Sequence, residues 1–122
     1  YQQDYGELVK KRSSEWRGFA DKSQLTYFPS VSPGWDATPR AAAKGYHRPE
    51  QYPWWPVVVN EDPSLFYDFI GRAISYTKEF NNPQLSFIAS WNEWSEGHYL
   101  EPDKRFGTAW LEAVRKAKQD AV

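Results

Sequence analysis

The chain has no cysteine and no methionine among its 122 residues. Without thiols it can build neither a disulfide framework nor a thiolate metal site, and its redox compartment is left open. Without an initiator methionine, and with the polar opening YQQDYG, it reads as an internal or processed stretch of a longer protein. That opening has no basic segment followed by an apolar one, so no signal peptide is visible. No run of about 18 apolar residues occurs, so no membrane-spanning helix is expected. An excess of either charge is missing too. The formal net charge is -1, which leaves no electrostatic footprint for nucleic acid or an anionic membrane. No glycine-rich phosphate cradle occurs, so a sugar-nucleotide site is not encoded in this stretch.

What is abundant is aromatic side chain. The chain carries seven Trp, eight Tyr and seven Phe. One small domain cannot hide so many rings, because Trp is seldom fully buried. Some of them must be core, and seven Trp in so short a chain are hard to hide completely.

Tyr5 to Ala20 carries Leu8, Val9, Trp16 and Phe19 at roughly helical spacing and predicts a helix. Leu25 to Val31 predicts a short strand, with Pro29 near its end where a missing donor is tolerated. The Pro33-Gly34 pair then punctuates the chain and throws Trp35, Asp36 and Arg40 onto a loop. Ala41 to Pro56 has no clear period and predicts a long irregular loop. Val57 to Val59 is a short extended piece. Asp62-Pro63 is a helix start, a capping acid followed by proline at the first helical position. Leu65, Phe66, Phe69, Ile70, Ala73, Ile74 and Phe80 follow at helical spacing, and Asn81 to Pro83 close that helix. Leu85 to Ser90 predicts a second strand, apolar enough to be covered on both faces of a parallel sheet. Thr108 to Ala121 predicts a last helix with Trp110, Ala113, Val114, Ala117 and Ala121 on one face.

Helices alternating with strands imply parallel βαβ units. Polar loops placed after the strands are the pattern of a (β/α)8 barrel, whose sites lie at the C-terminal ends of its strands. Two strands do not close a barrel, which takes about 250 residues. The expected fold class is therefore α/β, with residues 1–122 forming the C-terminal part of a (β/α)8 TIM-type barrel. Such a fold needs the missing N-terminal strands, or another chain, to be complete. The alternative is a small α/β domain that exposes its sheet edges or pairs them with another chain.

Trp91 to Asp103 reads WNEWSEGHYLEPD. It gathers Glu93, Glu96, Glu101 and Asp103 among Trp91, Asn92, Trp94, His98 and Tyr99. Glu93 and Glu96 are three apart, so a turn after the strand brings both to one pocket. Like charges held close do not easily both ionise, so one pKa is expected to rise and supply a general acid. Paired carboxylates with ring platforms point to sugar chemistry. Trp91 and Trp94 are candidates to dry the site or stack on a sugar ring. Asn92 is a candidate to fix Glu93 or a hydroxyl, and His98 and Tyr99 to hold hydroxyls. Trp35, Asp36 and Arg40 would approach from the neighbouring loop.

Plainer readings stand beside these. Glu101-Pro102-Asp103 also reads as a structural turn whose acid pairs Arg105 or Arg40. Trp35 also reads as cover for a hydrophobic edge, and Trp54 and Trp55 either as a stacking platform or as loop packing. Glu93, Glu96 and His98 lack the HExxH spacing and have no second His near, so neither a metal nor another cofactor is expected.

The blocks PGWDATPR and WNEWSEGHYLEPDKRFG resemble the C-terminal part of the WbsX-type glycosyltransferase-like proteins, relatives of glycoside hydrolase family 99. The match runs from about Tyr27 to Ala113 and is sharp in those two blocks. The resemblance implies a (β/α)8 barrel with an active site facing α-linked sugars such as mannose. It makes Glu93 the base on the sugar's own 2-hydroxyl, through an anhydro-sugar intermediate. It makes Glu96 the acid on the leaving oxygen and then the base on water. At Ser95 family 99 carries His, and this departure favours the WbsX-type branch. The function implied is hydrolysis of an oligosaccharide or polysaccharide. The alternatives are a glycosyltransferase in surface polysaccharide synthesis and a carbohydrate-binding protein without catalysis.

Overall fold

A computed structural model describes residues 1–42 and 50–121. In chain order the elements are β1 (Gln2–Asp4), α1 (Tyr5–Ser23), β2 (Ser30–Val31), α2 (Thr38–Ala42), β3 (Val57–Val59), α3 (Pro63–Phe80), β4 (Phe87–Ile88), β5 (Asn92–Glu93), a 3-10 turn (Trp94–Glu96), β6 (His98–Tyr99) and α4 (Ala109–Asp120).

The three long helices form where their periodicity places them. α1 starts on Asp4, whose side chain accepts the Glu7 N–H, and it runs on through Ser23. Its polar stretch is the solvent face of the same helix, laced by Glu7–Lys10, Arg12–Glu15 and Arg17–Asp21 pairs. α3 starts on Asp62, whose side chain accepts the Ser64 N–H, with Pro63 in the first turn. Proline costs nothing there, because that N–H has no helical partner to lose.

The core lies between these helices. Tyr5, Val9 and Trp16 of α1 meet Phe66, Phe69, Ile70, Ala73 and Tyr76 of α3, with Trp110, Ala113 and Ala117 of α4 and Val31 and Val58 of the strands. Trp16 lies flat on Phe69, with ring centres 5.8 Å apart. Burying each such side chain contributes about 1.5–3 kcal/mol. Among the described residues no helix is long and apolar enough to cross a membrane.

β2 and β4 are parallel neighbours, Ser30 opposite Phe87 and Val31 opposite Ile88. α3 lies between them in the chain, which is the crossover that a parallel pair requires. The strands are shorter than the apolar runs that contain them. Leu25 to Phe28 and Leu85 to Ser86 lie outside the ladder. The second strand is not covered on both faces. Val31 and Ile88 pack toward the helices, while Phe87 is 56% exposed and Leu85 is exposed beside it. One sheet face thus has no partner among the described residues.

β1, α2 and the β5–β6 hairpin with its 3-10 turn lie outside the expected order. β1 pairs in parallel with β3, Gln2 opposite Val57 and Asp4 opposite Val59. Gln-Gln-Asp has no hydrophobic alternation, so nothing local marks it as a strand. α2 lies in what reads as loop. Asp36 caps it, accepting the Thr38 N–H at 2.8 Å, and Pro39 suits its first turn. Of the irregular segment expected over 41–56, residues 41–42 end α2, 50–56 are bends and turns, and 43–49 lie outside the described residues.

Candidate functional site

The site forms where the chain leaving β2 meets the chain leaving β4. The Asp36 N–H donates to the Glu96 carbonyl at 2.8 Å. A Cβ on Gly97, which has φ 67°, would lie 2.8 Å from the Asp36 nitrogen, and a Cβ on Gly34 would lie 2.9 Å from the Gly97 carbonyl oxygen. Both glycines are therefore what lets the two backbones touch. On its other side the first loop is held by β3, because the Val58 N–H donates to the Trp35 carbonyl at 2.8 Å.

Beyond Ser90 the chain makes a small antiparallel hairpin, Asn92 opposite Tyr99 and Glu93 opposite His98. Its turn is the 3-10 segment Trp94–Glu96, with Glu93 as its cap and Gly97 closing it in the left-handed conformation. In a 3-10 turn side chains three apart lie over one another. This is why Glu93 and Glu96 point the same way.

Arg40, on α2, faces both. Its Nη2 lies 2.9 Å from Glu93 Oε1 and its Nε 3.3 Å from Glu96 Oε1. The Ser95 hydroxyl also donates to Glu93 Oε1, at 2.7 Å. The Ser95 hydrogen bond, with the Arg40 charge behind it, holds the Glu93 carboxyl below the usual carboxylate range. The rise expected for one of the two acids is thus not found at Glu93, which is held in its charged form. Both acids are partly open, with side chains 41% and 28% exposed.

His98 is 8% exposed. Its Nε2 lies 3.1 Å from Glu96 Oε2 and its Nδ1 3.0 Å from Ser90 Oγ. Trp35 stacks on the His98 ring and on Tyr52, and its indole N–H donates to the Pro53 carbonyl. Trp35 is thus packed from both neighbours rather than standing free. A cavity of about 310 Å³ has His98, Trp35, Val31, Val58 and Phe69 in its wall. Glu93 and Glu96 lie outside that wall.

The remaining candidates form a second cluster. Trp94 stacks on Tyr99 at 3.6 Å and its indole N–H donates to Glu101 at 3.0 Å. The Tyr99 hydroxyl donates to Asp103 at 2.9 Å. Burial and that hydrogen bond push the phenol up to about 12. Asp103 also accepts from the Phe106 N–H and from the Trp110 indole, so it ties the turn to α4. Glu101 pairs neither Arg105 nor Arg40 as expected; Arg105 lies 4.0 Å from Glu61. The polar atoms of His98 and Tyr99, expected to hold sugar hydroxyls, are bonded within the chain. Asp36 spends its carboxylate on the α2 cap. Trp91 and Asn92 are exposed, and neither side chain has a partner among the described residues.

With that geometry in hand the comparison with known proteins is direct. Residues 2–114 match the family described as Glycosyltransferase WbsX. The chain belongs to the WbsX family. It is 37% identical over 117 residues to the uncharacterized protein WxcX of Xanthomonas campestris pv. campestris strain B100, covering 93% of this chain and 14% of that relative. WxcX of strain ATCC 33913 gives the same figures. The chain therefore spans a small part of the length of these relatives. No solved structure matches it. The description of the WbsX family points to a carbohydrate-active enzyme.

Two residues of this WbsX-family site were not legible beforehand as parts of it. Ser90 accepts the Glu93 N–H at 3.1 Å and donates to the His98 carbonyl at 2.9 Å. Ser95 reaches Glu93 across the turn. A serine at a strand end carries no local signal for either role. Among the described residues no three His, Asp or Glu side chains converge as a metal site would need.

Proposed function

We propose that the protein containing this chain cleaves α-linked, mannoside-like glycans, with Glu93 as base and Glu96 as acid, at the rim of a (β/α)8 barrel whose C-terminal part is residues 1–122. The observation that carries the reading is the shared guanidinium. Two carboxylates bonded to one Arg40 at the end of a parallel strand are a compact acid–base pair on the side where barrel enzymes work. The parallel β2–β4 pair joined through α3, with α2 and β3 also in the connection, supports reading it as one repeat of such a barrel. The bare face at Leu85 and Phe87 is where the remaining strands would pack.

The two acids are not equivalent, and the reaction needs that. Both bonds to Glu93 fall on Oε1, so Oε2 is left to take the proton of the sugar 2-hydroxyl. The sugar's 2-oxygen then attacks the anomeric carbon as the glycosidic bond breaks, and the leaving oxygen takes the Glu96 proton. Water then opens the anhydro-sugar. Glu96 accepts the water proton, and Glu93 returns its proton to the 2-oxygen. Trp91, exposed at the start of the hairpin, is the candidate ring to stack on a sugar.

In the full-length protein Glu96→Gln abolishes turnover of an α-mannoside and leaves binding intact, because only the proton donor is lost. Turnover at the wild-type rate in that variant removes Glu96 from the mechanism. A second reading, transfer rather than hydrolysis, is favoured by the family's description as glycosyltransferase. Product analysis with a nucleotide-sugar donor separates the two. Hydrolysis releases free sugar from a glycan, whereas transfer lengthens an acceptor.

A further inference from the structure

The groups around Glu96 constrain where its proton lies. Ser90 Oγ accepts the Glu93 N–H at 3.1 Å, and it lies 2.9 Å from the His98 carbonyl oxygen and 3.0 Å from His98 Nδ1. An amide only donates, a carbonyl only accepts, and the hydroxyl has one hydrogen. When that hydrogen serves the carbonyl, Nδ1 carries its own hydrogen and donates to Ser90. One further proton then sits between His98 Nε2 and Glu96 Oε2, which are 3.1 Å apart. It belongs to Glu96 if the ring is neutral and to Nε2 if the ring is charged. When the hydroxyl swings to Nδ1, the ring hydrogen is on Nε2 and Glu96 is a plain carboxylate. The Ser90 rotor thus fits both the loaded and the discharged pair.

The ring is held in place for this. It is buried, stacked on Trp35 at 5.5 Å, and lies opposite Glu93 in the hairpin. The charged groups facing the pair are few among the described residues. Arg40 reaches the other Glu96 oxygen and Glu93 shares that guanidinium. Arg12 lines the same cavity as His98. The Asp36 carboxylate is turned to the Thr38 N–H.

We infer that His98 is the positioning residue that keeps a proton available at Glu96, with Ser90 fixing the ring. The inference rests on the reading of Glu96 as acid. A lone glutamate releases its proton near about pH 4.3 and a free imidazole near about 6.5. His98 Nε2, 3.1 Å from Glu96 Oε2, is a second seat for the proton beside that carboxyl.

The test uses the full-length protein and the variants His98→Gln, His98→Asn and Glu96→Gln. Glutamine keeps a donor toward Glu96 and asparagine one toward Ser90, but neither titrates. The substrates are a methyl α-mannoside, whose leaving oxygen needs a proton, and a dinitrophenyl α-mannoside, which leaves without one. Both His98 variants lose roughly 100-fold or more in kcat/KM on the methyl glycoside and little on the dinitrophenyl one. The basic limb of their methyl-glycoside profile moves to lower pH by about one unit or more. Equal losses on both substrates, or an unmoved limb, make His98 merely structural and overturn the inference while Glu96 stands. Full activity of Glu96→Gln on the methyl glycoside overturns both readings. A readout free of turnover completes the set. The His98 ring titration, followed by NMR on protein carrying labelled histidine, shifts to lower pH in Glu96→Gln, and an unshifted titration overturns the coupling.

Discussion

Between α1, α3 and α4 contact is made by apolar side chains, with Trp16 flat on Phe69 and Phe66 edge-on to Trp110. Between the loop after β2 and the loop after β4 contact is made by backbone, with the Asp36 N–H on the Glu96 carbonyl and two glycines where any Cβ would collide. The first kind of packing is non-directional and tolerates exchange among residues of similar volume. The second is directional and fails with a single added carbon. The helical layer makes the fold stable, while the loop contact sets where Arg40 meets Glu93 and Glu96. The molecule therefore separates what holds it together from what aligns its acids.

That separation can be broken from either side. The largest effect on stability comes from the helical layer. Phe69→Ala empties a position that is 2% exposed and costs about 3–5 kcal/mol, read as a lower denaturation midpoint of the full-length protein. The pH profile of its remaining activity is unchanged, and a moved profile shows that the two regions are coupled after all. Gly97→Ala is smaller in stability, about 1–3 kcal/mol for the left-handed backbone. Its loss of turnover exceeds its loss of stability, because the added carbon drives the Asp36 loop, and Arg40 with it, away from the acids. Proportionate losses refute an alignment role for Gly97.

The smallest change is read on the pH axis. Ser95 and Arg40 depress the Glu93 pKa, so its charged carboxylate, and any stability that carboxylate contributes, is present above its unfolded-state pKa. Both are lost as pH falls through the depressed folded value. Ser95→Ala removes the largest cause, so the acidic limb of kcat/KM moves to higher pH. An unmoved limb assigns that limb to a group other than Glu93.

Legibility followed the same division. α3 could be read from Asp62-Pro63 and from Leu65, Phe66, Phe69 and Ile70, because a helix buries a periodic face and caps itself locally. β1 could not, since its pairing with β3 depends on residues 55 positions away (Gln2 with Val57) and its own side chains are polar. The apolar runs around β2 and β4 announced strands, yet the ladder is short and one face is bare. The acids were evident as candidates, and Arg40 was placed nearby as a substrate contact. Its position between both glutamates was not readable, nor was the service of Ser90 to three separate groups.

By itself the sequence determined the three long helices, the Asp62-Pro63 start of α3 and the spacing that turns Glu93 and Glu96 to one side. Each of these rests on interactions within a few residues. Only the tertiary structure decided that Arg40, 53 residues from Glu93, would bridge the pair and that His98 would turn inward to Glu96. A hydrogen-bond partner is chosen by position in space, and the glycine-to-backbone contact that sets this position joins segments that are distant in the chain.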